Sequence, residues 1–144
     1  MFTFFLWDLY NRILTMTFYT KQIARFNKDL YSKDYLTQQV MAAKRFINHH
    51  FAEDITLGDI SGSSFFSKFH FLRLFKKYYG QTPHQYLTAV RINKAKEFLQ
   101  KGAVVSETSY SVGFNNLSSF SRLFKNSTGY SPAEYRRKKA IFAK

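Results

Sequence analysis

The chain has no cysteine. That removes disulfides, thiolate zinc sites and cysteine nucleophiles together, and it fits a reducing cytosol. Acidic residues are scarce: nine Asp and Glu against 22 Lys and Arg leave a net charge of +13. Such a surplus points to a polyanion, with DNA, RNA and an anionic membrane surface as the candidates. Long apolar runs are also missing. The most apolar stretch, MFTFFLWDLYNRILTMTFYT, is interrupted by Asp8 and Arg12, so no charge-free run approaches the roughly 20 residues of a membrane-spanning helix. It lacks the basic start and small-residue cleavage site of a signal peptide as well. There is no Gly-rich phosphate loop, Ser/His/Asp set or carboxylate pair, so neither catalytic residues nor a cofactor are expected. His49 and His50 are adjacent and face different sides of a helix, and neither pairs with His70 or His84 at a metal-binding spacing. No metal site is expected. Glu53 and Asp54 read as solvated loop charge.

What is present is a core. Hydrophobic residues make up 45% of 144, including 17 Phe and 10 Tyr, enough for one compact domain with an appended arm. Charge divides the chain near residue 36. Residues 1–36 carry five basic and three acidic residues, whereas residues 37–144 carry 17 and six. The expected division is therefore an arm or linker remnant over 1–36 and a basic domain over 37–144.

The domain contains a repeat. FLRLFKKYYGQTPHQY from Phe71 and FSRLFKNSTGYSPAEY from Phe120 agree at eight of sixteen positions, 49 residues apart. The only two prolines, Pro83 and Pro132, occupy equivalent places. Each copy reads as a helix stopped by a C′ glycine (Gly80, Gly129) and followed by a new helix with proline in its first turn.

The flanking pattern is helical throughout. Thr37 is the expected cap of a helix to about Phe51, with Val40, Ala43, Ile47 and Phe51 on one face. Thr56 and Asp59 resemble a capping box before a short helix containing Gly58 and Gly62. Ser67 caps the next helix, in which Phe71, Leu74, Phe75 and Tyr78 form an inward stripe and Phe69, Leu72, Arg73 and Lys76 an outward one. A long helix from Pro83 to about Lys101 carries Leu87, Val90, Lys94, Ala95, Phe98 and Leu99. Ser106 is the expected cap of a second short helix, and Val112-Gly113-Phe114 the turn after it. Asn116 caps a helix burying Phe120, Leu123 and Phe124, with Ser118, Ser121, Arg122 and Lys125 outward. A short helix, a tight turn and a longer basic-faced helix make a helix-turn-helix, and the chain has two.

The segments FSKFHFLRLFKKYYGQTPHQYL, VRINKAKEFL and YSVGFNNLSSFSRLFKNSTGYSPAEYR resemble the DNA-binding domain of AraC/XylS-family transcriptional regulators. The resemblance runs from about residue 37 to 137. It implies an all-α domain of about seven helices, with two helix-turn-helix subdomains joined by a long central helix, here preceded by an N-terminal helical arm. In such domains the third and sixth helices enter successive major-groove turns. Carried over position by position, the base contacts fall on Phe69, Leu72 and Arg73 in the first recognition helix, and on Leu117, Ser118, Ser121 and Arg122 in the second. A guanidinium bonds guanine O6 and N7 bidentately, which singles out Arg73 and Arg122. Ser67, Lys68, Lys76, Lys77, Asn116 and Lys125 suit phosphates. The basic tail Arg136–Lys139 reads equally as a phosphate contact or a frayed terminus. The resemblance further implies double-stranded DNA and RNA polymerase as partners, a cytoplasmic place, and no membrane partner or small-molecule effector site within this chain.

Some residues depart from the family pattern. Ser61, Thr108 and Ser109 stand where small or aliphatic residues are usual, and each would bury a hydroxyl at about 1–3 kcal/mol if unpaired. Phe65 replaces a frequent glycine in the first turn. These departures motivate a second reading, a protein-interaction module that kept the fold and lost specific DNA reading. The apolar residues Phe2, Phe4, Phe5, Leu6 and Trp7 motivate a third, a basic amphipathic membrane-surface protein. Activation or repression, the operator, and whether this is a stand-alone regulator or part of a longer protein are left open.

Overall fold

The computed structural model describes residues 16–25, 28, 32–62 and 67–142. Among them there is no strand. Residues 16–25 are helical (α1). Then follow α2 (Lys33–His50), α3 (Leu57–Ser61), α4 (Lys68–Tyr79), α5 (Pro83–Gln100), α6 (Val105–Ser111), α7 (Leu117–Thr128) and α8 (Pro132–Phe142). The chain resolves into two compact units, Met1–Gln39 and Val40–Lys144, and α2 runs through that division. The residues Phe2, Phe4, Phe5, Leu6 and Trp7, and the turn residue Phe65, lie outside the described residues.

In the second unit α5 is the spine, and α3, α4, α6, α7 and α8 all pack on it. The repeat explains why. In the first copy Phe71 and Phe75 are buried, and the Tyr86 ring of α5 meets Phe75 edge-on at 5.8 Å. In the second copy Phe120 and Phe124 are buried, and Tyr135 of α8 meets Phe124 edge-on at 5.3 Å. Such edge-to-face pairs add specific geometry to apolar burial. The second core is completed by Ile92, Ala95, Leu99, Val112 and Phe114, with Phe51, Phe98, Val105, Leu123 and Tyr135 packed against it.

The helix ends repeat as well. The N–H groups of Gly80 and Gly129 donate to the carbonyls of Lys76 and Lys125, each at 2.8 Å. Both glycines sit in the left-handed region, at φ 72° and 79°, which other residues adopt only with strain. The next helix opens with a capping box in both copies: Thr82 with Gln85, and Ser131 with Glu134. Thr56 and Asp59 form a third, ahead of α3.

Several local expectations are corrected. The helix expected to begin at Thr37 starts at Lys33. Ser32 accepts from the Tyr35 N–H at 3.2 Å, while the Thr37 hydroxyl turns back to the Lys33 carbonyl at 2.7 Å. α6 starts at Val105 with no side-chain cap, so Ser106 lies inside it. Gly62 is the C-cap of α3, at φ 59°, rather than an interior residue. Tyr78 is 38% exposed, and the inward ring at that end is Tyr79, 4.8 Å from Phe75. In α5, Val90, Lys94 and Phe98 are half-buried, and the fully buried residue missing from the expected stripe is Ile92. The basic tail is not frayed at Arg136–Lys138, since α8 continues to Phe142, and Lys138 Nζ lies 3.9 Å from the centre of the Tyr130 ring.

Candidate nucleic-acid interface

Helices α4 and α7 are each fixed at the start by a side-chain cap and along one side by phenylalanines. Ser67 Oγ accepts from the His70 N–H at 3.2 Å, and Asn116 Oδ1 accepts from the Ser119 N–H at 2.9 Å. With Phe71, Leu74 and Phe75 turned inward, α4 presents Phe69, Leu72, Arg73 and Lys76 on its other side. Phe69 is 78% exposed, Leu72 is half-buried, and Arg73, Lys76 and Lys77 are exposed. With Phe120 and Phe124 inward, α7 presents Leu117, Ser118, Arg122 and Lys125 exposed and Ser121 half-buried. Ser67, Lys68 and Asn116, at the helix starts, are exposed as well. Helix α4 thus brings the first set of expected residues onto one surface, and α7 the second.

The eight matched positions of the repeat sort by role. Phe71/Phe120, Leu74/Leu123, Phe75/Phe124 and Tyr86/Tyr135 pack in the two cores; Gly80/Gly129 and Pro83/Pro132 end one helix and begin the next. Two pairs remain, Arg73/Arg122 and Lys76/Lys125, and all four side chains are exposed. Among the described residues neither Arg73 nor Arg122 is engaged in a hydrogen bond or ion pair. Packing does not account for their recurrence.

Neither α4 nor α7 contains an acidic residue. Four of the six carboxylates of the basic unit have partners elsewhere. Glu53 meets His50 Nδ1 at 2.8 Å, and Glu97 meets Lys94 at 3.1 Å. Asp59 is held below the usual carboxylate range mainly by its hydrogen bonds from Thr56, with a smaller pull from Lys68. Glu134 is held down by Ser131, with smaller pulls from Lys125 and Arg137. Lys68 and Lys125 therefore each have a carboxylate nearby, whereas Arg73, Lys76, Lys77 and Arg122 make no ion pair among the described residues.

Arg91 escaped the sequence reading. From the middle of α5 its Nε donates to the Phe51 carbonyl at 2.7 Å, and its Nη2 donates to the Glu53 carbonyl at 2.8 Å. Burial pulls its pKa down while Asp54 pushes it back up.

The helix-turn-helix domain model matches residues 61–138. The chain is 37% identical over 82 residues to the uncharacterised HTH-type transcriptional regulator YbfI of Bacillus subtilis, covering 57% of this chain and 30% of YbfI. Among solved structures it resembles the C-terminal domain of AraT, a response regulator from Geobacillus stearothermophilus. That likeness has a TM-score of 0.65 at 32% identity, over 69% of this chain and 84% of AraT's. The fold is shared with the DNA-binding domain of AdpA, solved in complex with a target DNA, at TM-score 0.65 and 24% identity over 69% and 91% of the two chains. The chain spans less than half the length of YbfI and of a second Bacillus subtilis regulator, YobQ, of which it covers 44%.

Proposed function

Because this chain belongs to the AraC-type helix-turn-helix family, we propose that it is a transcriptional regulator that reads DNA sequence with α4 and α7 in adjacent major-groove turns. The observation that carries this reading is the recurrence of Arg73/Arg122 and Lys76/Lys125, exposed and matched in two helices whose other matched residues pack, cap or end the helices. Helix α5, with 18 residues, is about 27 Å long at 1.5 Å per residue, commensurate with the roughly 34 Å between successive major-groove segments. In this reading Phe69, Leu72, Arg73, Leu117, Ser118, Ser121 and Arg122 meet base edges. Ser67, Lys68, Lys76, Lys77, Asn116 and Lys125 hold phosphates and fix the register. The regulator works in the cytoplasm and acts on RNA polymerase bound nearby.

Selection of duplexes from a randomised pool at near-physiological salt tests this. Two enriched blocks about one helical turn apart are expected. Replacing Arg122 with Ala is expected to relax preference at one position by about 1–3 kcal/mol; equal loss on every sequence would reassign Arg122 to a phosphate. A single enriched block would limit base reading to one unit. Binding without enrichment that vanishes as salt rises would leave only a polycation on a polyanion, the outcome that favours an interaction module.

A further inference from the structure

The two helix-turn-helix units share α5, on which both pack. A second tie crosses between them. The C-terminal part of α2 packs on the first helix-turn-helix: Lys44 Nζ lies 5.2 Å from the centre of the Tyr79 ring at the end of α4, and Asn48 accepts from the Tyr86 hydroxyl at 3.3 Å. Yet the Phe51 side chain, just after α2, packs against the core of the second helix-turn-helix. The carbonyls of Phe51 and Ala52 lie against Gly113 in the turn of the second helix-turn-helix, so closely that a Cβ there would come within 2.8 and 2.9 Å of them. Arg91 closes this junction. Its guanidinium takes the carbonyls of Phe51 and Glu53 and sits 5.6 Å from the centre of the Phe114 ring. A planar guanidinium fork can donate to two carbonyls while facing a ring. Because the carbonyls follow the C-terminus of α2, the positive charge is also favoured by that helix's dipole.

We propose that Arg91 is a positioning residue for DNA reading: it clamps the loop 51–53 onto the second helix-turn-helix, holds α4 and α7 at one separation, and thereby sets the spacing between the two base blocks. The part concerning DNA rests on the function proposed above; the part concerning helix separation does not.

The first test needs no DNA. The chain has no cysteine, so Lys77→Cys and Asn126→Cys, at matched exposed places on the two helices, accept a spin label each. A narrow distance distribution is expected in the Arg91 protein and a clearly broadened one in Arg91→Gln. Unchanged width with helicity intact by circular dichroism overturns the proposal. If Arg91→Gln does not fold, Arg91→Lys, which keeps the charge and loses the fork, decides by the same width. Loss of folding in both makes Arg91 a residue of the fold and also overturns it.

The second test offers duplexes in which the distance between the two selected blocks is varied by single base pairs. The parent is expected to disfavour flanking spacings roughly tenfold, and Arg91→Gln only about twofold. A uniform loss of affinity with the spacing preference retained overturns the proposal. If the parent selects no blocks, two-helix base reading fails instead, and the label distances still decide whether Arg91 holds the helices apart.

Discussion

Thr108 and Ser109 are the two polar residues buried in the described structure, at 1% and 0% exposure, and neither hydroxyl has a hydrogen-bond partner. Ser61 differs. It is half-buried, and its hydroxyl donates to the Gly58 carbonyl at 3.1 Å. The desolvation expected of these departures therefore falls on α6, not on α3. Ser109→Ala and Thr108→Val should each stabilise the protein by about 1 kcal/mol, because an unsatisfied buried group costs about 1–3 kcal/mol. Urea unfolding checks this, and an unchanged or lower midpoint in both variants would mean that the hydroxyls are satisfied in solution. Ser61→Ala should give no comparable gain. At this scale the sequence was legible where a residue's task is local. Ser67 and Asn116 cap the helices they precede, and the outward stripes follow from a 3.6-residue period. Arg91 was not legible. Its two carbonyl partners lie 40 and 38 residues away, and an arginine inside a polar-faced helix carries no local mark of what it will reach.

Among the elements, the repeated glycine, cap and proline make the α4–α5 and α7–α8 corners readable in the sequence. The two helix starts placed wrongly have opposite physical causes. For the start of α2 two hydroxyl residues compete, and the earlier, Ser32, takes the cap while Thr37 falls inside the helix. Before α6 Val104 occupies the cap position without a side-chain bond, so packing of Val105 on the core starts the helix with no sequence signal. The caps also predict a response to acid. Asp59 and Glu134 have lowered pKa values in the folded chain because hydrogen bonds from Thr56 and Ser131 favour their ionised forms. Unfolded carboxylates take up protons at about pH 4. The stabilisation from these caps is thus fully present above that range and is lost as pH falls through the lowered folded values. Denaturation midpoints measured from neutral pH downward should fall on the acid side, and the Asp59→Asn, Glu134→Gln double variant should show a shallower fall. Identical slopes would place the acid sensitivity elsewhere.

For the whole molecule, charge was the plainest message of the sequence and the least specific. The +13 balance announces a polyanion, while exposed Arg73, Lys76, Arg122 and Lys125 say where it would lie. Affinity for duplex should fall steeply with salt, as counterions released at each neutralised phosphate are no longer favoured. Lys76→Ala and Lys125→Ala should each lower the slope of log K against log salt by about one while leaving base preference intact. Titrations at several salt concentrations measure this, and a slope unaltered by either change would remove that lysine from the phosphate set. Which bases are chosen was not legible, because it depends on poses of the outward side chains against a duplex.

The two outward faces are built on one plan but furnished differently: Phe69 and Leu72 stand in α4 where Ser118 and Ser121 stand in α7. A pair of identical subunits on a palindrome looks the same from upstream and downstream. A single chain that read with two unlike helices would not. On its duplex such a chain would have a head and a tail, and turning the target sequence end for end would present a different flank of the protein to whatever approaches along the DNA.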